Sequence, residues 1–192
     1  SILLHRSGWA QIRTRQPVKQ VVRNIIHFGG QYGWFFGVAH IAIAEVFTIE
    51  FTAPIWTLLL AAVFLGERVT PARLLAVVFG FVGILVILRP GFAAVELAQI
   101  AVLGAAFCFA ASLVITKRLV ATDTPLTIIF YMTVIQLPLG LAASVDGWVW
   151  PTLAHLPWIF IVGAAALTAH FCIANAMKLA DASIVVPMDF LR

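Results

Sequence analysis

An acidic residue and a proline lie together inside a long apolar stretch of the chain. Glu50 is the single charged residue between Val46 and Leu65, and this segment is long enough to cross a bilayer as a helix. An ionisable side chain there is costly unless it faces a cavity or a partner. Pro54 lacks the amide that would donate to the Glu50 carbonyl in a helix. The sequence therefore predicts a polar break in a membrane helix, at which a ligand or an ion could bind.

The preceding apolar segment carries a polar stripe. His27, Gln31 and Trp34 follow one another at spacings of four and three residues, so they share one side of a helix. We favour a cavity lining for Gln31 and Trp34, and an interface position for His27, which lies close to Arg23. Gln136, in a later segment, is predicted to form a hydrogen bond between helices.

The second half of the chain offers three more candidates for the same lining. His170 lies in the middle of an apolar segment, where a lining role competes with a structural hydrogen bond to a neighbouring helix. Asn175 lies toward one end of that segment. Asp189 follows Pro187 by two residues and is the counterpart of Glu50, although it could also lie at the membrane interface. The candidate cavity residues are therefore Gln31, Trp34, Glu50, Pro54, His170, Asn175 and Asp189.

Small residues within the apolar segments are interpreted as packing elements. Gly29, Gly33 and Gly37 recur at a spacing of four, which lets another helix approach closely. Cys108 and Cys172 lack a CxxC spacing and are predicted to be buried small hydrophobic residues.

Motifs for enzymatic chemistry are missing from the sequence. It contains no HExxH, no GxSxG, no P-loop lysine and no glycine-rich dinucleotide turn. The five histidines and two cysteines do not fall at metal-ligand spacings. We therefore predict no catalytic residue, no metal and no cofactor.

The composition is that of a membrane protein. Of the 192 residues, 62% are hydrophobic and 10% are charged, whereas about 25% of the residues of a soluble domain are charged. The mean hydropathy is +1.05. The net charge of +4 comes from basic residues scattered over short loops, so we do not expect a nucleic-acid partner. We expect the lipid bilayer to be the partner instead.

Long apolar segments follow one another along the whole chain. They predict an all-α, polytopic membrane bundle, with incomplete segments at Ser1–Leu4 and Ala182–Arg192. We expect further residues at both ends of the natural chain. The six complete segments are Ile25–Ile43, Val46–Leu65, Ala72–Leu88, Leu97–Thr116, Leu126–Val145 and Pro157–Met177.

Basic residues are concentrated in alternate loops. Ten fall in one set of loops, whereas the other set holds only Arg89. This asymmetry predicts that the basic loops are cytoplasmic in a multi-pass protein of the inner membrane. The ten are Arg6, Arg13, Arg15, Lys19, Arg23, Arg68, Arg73, Lys117, Arg118 and Lys178.

A weak internal repeat has an offset of about 136 residues. Five predicted spans fit within the offset, and an odd number inverts the second copy relative to the first. Chance similarity between apolar helices is the alternative, and the charge asymmetry favours the repeat. The matching residues are Phe35 with Phe171, Ala44 with Ala180 and Glu45 with Asp181.

Several short motifs resemble the EamA family of the drug/metabolite transporter superfamily. They are Pro54, LGERVTP at 65–71, GFVGILVILRPG at 80–91 and LADASIVVPMDF at 179–190. The resemblance covers nearly the whole chain from about residue 13 onward. It implies ten helices in two inverted five-helix halves around a central cavity. On that pattern the chain holds helices 3 to 8 and the ends of helices 2 and 9, with one repeat over 1–90 and the other over 91–192.

The resemblance also implies a function. Members of the family are secondary-active transporters, so we expect export or import of a small organic metabolite by alternating access. Protons are a candidate coupling ion, since the sequence has no P-loop for an ATP-driven pump. The alternatives are a membrane-embedded enzyme, which needs two or more catalytic groups at one depth, and a non-transporting scaffold subunit.

Overall fold

The computed structural model describes residues 12–88 and 96–189 and is helical in both ranges. No strand occurs in these ranges, so the predicted all-α fold is confirmed. The elements are α1 (Pro17–His40), α2 (Ile43–Glu50), α3 (Ala53–Leu65), α4 (Pro71–Leu88), α5 (Leu97–Leu119), α6 (Pro125–Ser144), a 3-10 turn (Val145–Gly147), α7 (Leu156–Leu179) and α8 (Ala182–Asp189).

Four helical segments are long and apolar enough to cross a membrane, judged on the described residues. They are α5, α6, α7 and the segment Ile43–Leu65, which combines α2 and α3. The first helix is more polar. Its Gln20, Arg23, Asn24 and His27 are all buried against other helices. The chain is therefore a multi-pass bundle in which α1 contributes polar groups to the interior.

The predicted break in the second span is present. α2 ends at Glu50 and α3 begins at Ala53, with Phe51 and Thr52 forming a turn between them. The amide of Thr52 donates to the Ile49 carbonyl over 3.0 Å, which closes a tight turn. Pro54 lies in the first turn of α3, where its missing amide costs no hydrogen bond. The span expected over Val46–Leu65 thus consists of two helices.

Glycines let α1 and α5 pack closely, as the small-residue stripe predicts. A Cβ atom at Gly37 would overlap the side chain of Val102, and one at Gly33 would lie 2.9 Å from the Ala101 carbonyl oxygen. At Gly29 no atom of the described residues lies within 4 Å of such a Cβ, so the stripe continues through Gly30 instead. The packing prediction is confirmed for Gly33 and Gly37 and wrong for Gly29.

Polar contacts tie the helices together at one end of the bundle, which we call the basic end. The Glu67 carboxylate, in the turn after α3, accepts hydrogen bonds from the amides of Ala182 and Ser183 over 2.8 and 3.1 Å. It therefore caps the first turn of α8, where the helix dipole favours a negative charge. Lys117 Nζ donates to the carbonyls of Met177 and Ala180 at the end of α7.

The last spanning helix is largely uncovered. Most side chains of α7 are exposed in its first three-quarters, and Cys172 is among the exposed residues. The prediction that Cys172 is buried is therefore wrong, because its side of α7 contacts no other described helix. Cys108, on α5, is partly buried.

Candidate functional site

Two of the predicted cavity residues meet at the helix break. The indole Nε1 of Trp34, on α1, donates a hydrogen bond of 2.7 Å to Oε2 of Glu50, the last residue of α2. The Trp34 ring packs on a buried cluster formed by Val46, Ile49 and Val102. This packing holds the indole in place, so the carboxylate is fixed at the break by a neutral donor from another helix.

A second polar group lies farther along α1. His27 is 7% exposed, and its Nδ1 lies 3.1 Å from Nε2 of Gln136 on α6. Gln136 also donates to Oδ1 of Asn24 over 3.2 Å, so the prediction that it bonds between helices is confirmed. The His27 ring meets that of His170 edge-on, with centroids 5.2 Å apart. These contacts bury His27 between the helices, and its position at the membrane interface stays a prediction.

The remaining sequence candidates are more scattered. Gln31 and Pro54 are half-buried. Asn175 donates to the Phe171 carbonyl of its own helix over 2.8 Å and joins neither polar group. Asp189 ends α8, and its side chain lies outside the described residues. The structure thus brings together Trp34 with Glu50, and His170 with His27, which lies one turn before Gln31 on α1.

Sequence analysis misses three buried polar residues on α1. Gln20 and Asn24 are fully buried, and Arg23 is 2% exposed. The signal was available, because Gln20, Asn24, His27 and Gln31 recur at spacings of four, three and four residues, which is one helical stripe. An expected span that begins only at Ile25 cuts this stripe in two, whereas α1 begins at Pro17.

Asp123 organises the basic end between α5 and α6. Its carboxylate accepts from the Thr14 hydroxyl, from the Arg15 amide over 3.2 Å and from Gln20 Nε2 over 2.9 Å. Burial alone would raise the pKa of Asp123, but these hydrogen bonds and one from Thr122 outweigh it and lower the pKa below its usual value. The ionised carboxylate therefore joins the start of α1 to the end of α5 through hydrogen bonds.

The fold and these polar groups define a multi-pass α-helical membrane protein with ionisable residues inside its bundle. The model of the EamA-like transporter family matches residues 1–89 and 96–192. The chain belongs to this family. The inverted relation between the two repeats and their division near residue 90 stay predictions.

Curated relatives of the chain are named as transporters, not as enzymes. It is 34% identical to a riboflavin transporter of Rhizobium johnstonii over 190 residues, which cover 98% of this chain and 63% of the relative. It is 27% identical to an S-adenosylmethionine uptake transporter of Rickettsia bellii, and this match covers 96% of the chain and 64% of the relative. It is 30% identical to a riboflavin transporter of Vibrio cholerae, and this match covers 94% of the chain and 61% of the relative. The chain therefore spans less than two thirds of these relatives, and no solved structure matches it significantly.

Proposed function

We propose that the complete protein is a secondary transporter that moves a small organic metabolite across the inner membrane by alternating access. Family membership and the names of the relatives support a transporter of small molecules. The mechanism is supported by the break between α2 and α3, since interrupted membrane helices commonly form the binding sites of carriers.

The observation that carries the proposal is the hydrogen bond between Trp34 and Glu50. A carboxylate within a spanning segment is costly, and a functional role is the default explanation for one that faces the interior. The indole donor stabilises this carboxylate without neutralising it. We therefore propose that Glu50 binds a cationic group of the cargo or exchanges a proton during the transport cycle.

The cavity lining is proposed to extend from Glu50 to the histidine pair. Trp34 and His27 are seven residues apart on α1, which corresponds to about 10 Å along a helix. This is the length of a small metabolite. The proposed lining consists of Gln31, Trp34, Glu50, Pro54, His170, Asn175 and Asp189.

The basic end is proposed to be the cytoplasmic gate. Hydrogen bonds join residues before 90 to residues after 96 here, through Glu67 with Ser183 and Asp123 with Gln20. Arg73 adds an ion pair of 2.9 Å to Asp181. If the basic loops are cytoplasmic, this arrangement is closed toward the cytoplasm, and these bonds break when the carrier opens inward.

Riboflavin and S-adenosylmethionine are the first candidate cargoes, because relatives are named for them. The test is the thermal unfolding of the purified full-length protein with each compound. A bound cargo at 100 times its Kd stabilises the folded state by about 2.7 kcal/mol. Stabilisation by one compound supports the transporter. A scaffold subunit would respond to neither, and that result would contradict the proposal.

A further inference from the structure

Arg23 places a positive charge inside the bundle. Its side chain lies in the second turn of α1, packed against α5, and is 2% exposed. Taking a guanidinium out of water is expensive, and buried charges in proteins are normally paired with an opposite charge. None of the described carboxylates lies within ion-pair distance of Arg23.

The described carboxylates have other partners. Each accepts a hydrogen bond at another place in the bundle, so none is available to Arg23 without rearrangement. The pairs are Glu45 with Gln99, Glu50 with Trp34, Glu67 with Ser183, Glu96 with the first turn of α5, Asp123 with Gln20 and Asp181 with Arg73.

Hydrogen bonds hold the guanidinium in position, but they do not use all of its N–H donors. Nε donates to the Thr116 hydroxyl over 2.8 Å, and Nη1 donates to Oδ1 of Asn24 over 3.0 Å. Both partners are neutral, and Nη2 makes no hydrogen bond within the described part of the chain. A water between Arg23 and the unpartnered Oε1 of Gln20 would satisfy hydrogen bonds, but it would not neutralise the charge.

The surroundings of Arg23 favour an anion. Gln136 Nε2 donates into the same network through Asn24. His27 lies one turn farther along α1, and the two groups bonded to Arg23 are neutral, whereas the Asp123 carboxylate is bonded to Gln20, one turn before Arg23. A planar guanidinium matches the two oxygens of a carboxylate or phosphate and binds them more strongly than it binds neutral acceptors.

We propose that Arg23 binds an oxyanion, a carboxylate or a phosphate, at the basic end of the bundle. The anion accepts from the Nη2 side of the guanidinium and neutralises its charge. That the oxyanion is part of the cargo rests on the proposed transport function, whereas the anion site itself does not.

The first experiment uses inorganic phosphate as the probe. Thermal unfolding of the full-length protein is followed while phosphate replaces sodium chloride at constant ionic strength. Arg23→Gln removes the charge, and Arg68→Gln, at an exposed turn position, removes the same charge elsewhere. We expect phosphate to stabilise the wild type and Arg68→Gln, with an apparent affinity about ten- to a hundredfold weaker in Arg23→Gln.

Two results would overturn the site. One is a wild-type protein that phosphate stabilises no more than chloride does. The other is an Arg23→Gln protein with an unchanged phosphate response. If Arg23→Gln does not fold, Arg23→Met fills similar space without a charge, and an undiminished phosphate affinity in that variant contradicts the proposal equally.

The second experiment asks where the oxyanion comes from. Riboflavin and riboflavin 5′-phosphate share one ring system and differ by a phosphate group. If the oxyanion belongs to the cargo, the phosphate ester binds at least about tenfold more tightly than riboflavin in the wild type, and Arg23→Gln abolishes the difference. Equal binding together with a phosphate response assigns the site to a free oxyanion and overturns only the link to cargo.

Discussion

Glu50 and Trp34 illustrate how a membrane protein keeps a carboxylate inside its bundle. The indole donates one hydrogen bond of 2.7 Å to the carboxylate and carries no charge, so this bond does not itself neutralise Glu50. Arg73, by contrast, forms an ion pair with Asp181. A hydrogen bond from a neutral donor leaves a carboxylate charged, whereas an arginine both donates to it and compensates its charge.

Asp123 gives the fold a pH dependence that can be measured. Because its pKa lies below the usual value, ionisation stabilises the folded state. This contribution is complete above about pH 4, the ordinary pKa of an aspartate, and is lost as the pH falls through the lower folded pKa. We expect Asp123→Asn to lower the unfolding temperature at pH 7, and to lower it by progressively less as the pH falls below about 4.

Thermal unfolding of both proteins between pH 3 and pH 7 tests this. Glu96→Gln, whose side chain caps α5, serves as a control for loss of a carboxylate elsewhere. If the unfolding temperatures of the wild type and Asp123→Asn change in parallel with pH, the contact between α1 and α5 does not depend on ionised Asp123.

At the level of single residues, the sequence predicts only part of the site. Glu50 and Trp34 stand out because charged and polar residues are rare in apolar spans. Arg23 and Asn24 do not stand out, because they precede the apolar run and resemble loop residues. Their burial depends on α5 and α6 closing over α1, which one helix's periodicity does not reveal. The contact between His27 and His170 likewise joins residues 143 positions apart.

Among the elements, the break between α2 and α3 is the one most closely linked to function. Pro54 removes one amide from the helical ladder, and the chain responds by turning at Phe51 and Thr52. The same residue type at the start of α1, Pro17, has no such effect, since the first-turn amides of a helix have no intrahelical partner.

Pro54→Ala restores the missing amide and should allow α2 and α3 to join. A continuous helix gains a hydrogen bond, so we expect an unchanged or higher unfolding temperature. We also expect slower transport, since the polar break around Glu50 is lost. The unfolding temperature and the rate of uptake are measured on the same preparation of Pro54→Ala, and Pro17→Ala is the matched control. A wild-type transport rate in Pro54→Ala would show that the break is dispensable.

The element boundaries follow from chemistry that a hydropathy pattern captures only in part. The apolar runs locate α5, α6 and α7 to within a few residues. The break is foreseen from Pro54, which lies in the first turn of α3, so the turn at Phe51 and Thr52 falls just before it. α1 extends eight residues before the predicted Ile25, because Pro17 starts the helix and its polar first turns are buried by other elements.

For the whole molecule, the prediction to test is orientation. Single cysteines at Val69, on the basic side, and at Leu153, on the opposite side, are exposed positions in a protein without Cys108 and Cys172. We expect an impermeant thiol reagent added to intact cells to label Leu153→Cys and to leave Val69→Cys unlabelled. Permeabilised cells provide the control, in which both should react. The reverse pattern in intact cells would invert the proposed topology.

The most direct test of the central claim is transport by the full-length protein in proteoliposomes. Uptake of riboflavin and S-adenosylmethionine is followed with and without an imposed pH gradient. We predict that at least one compound enters faster than into empty vesicles and that the gradient accelerates it. Glu50→Gln retains an acceptor for Trp34 and should lose this acceleration, whereas Glu45→Gln, whose side chain can still accept from Gln99, should retain it. Uptake of neither compound, or an unchanged gradient response in Glu50→Gln, would contradict the account.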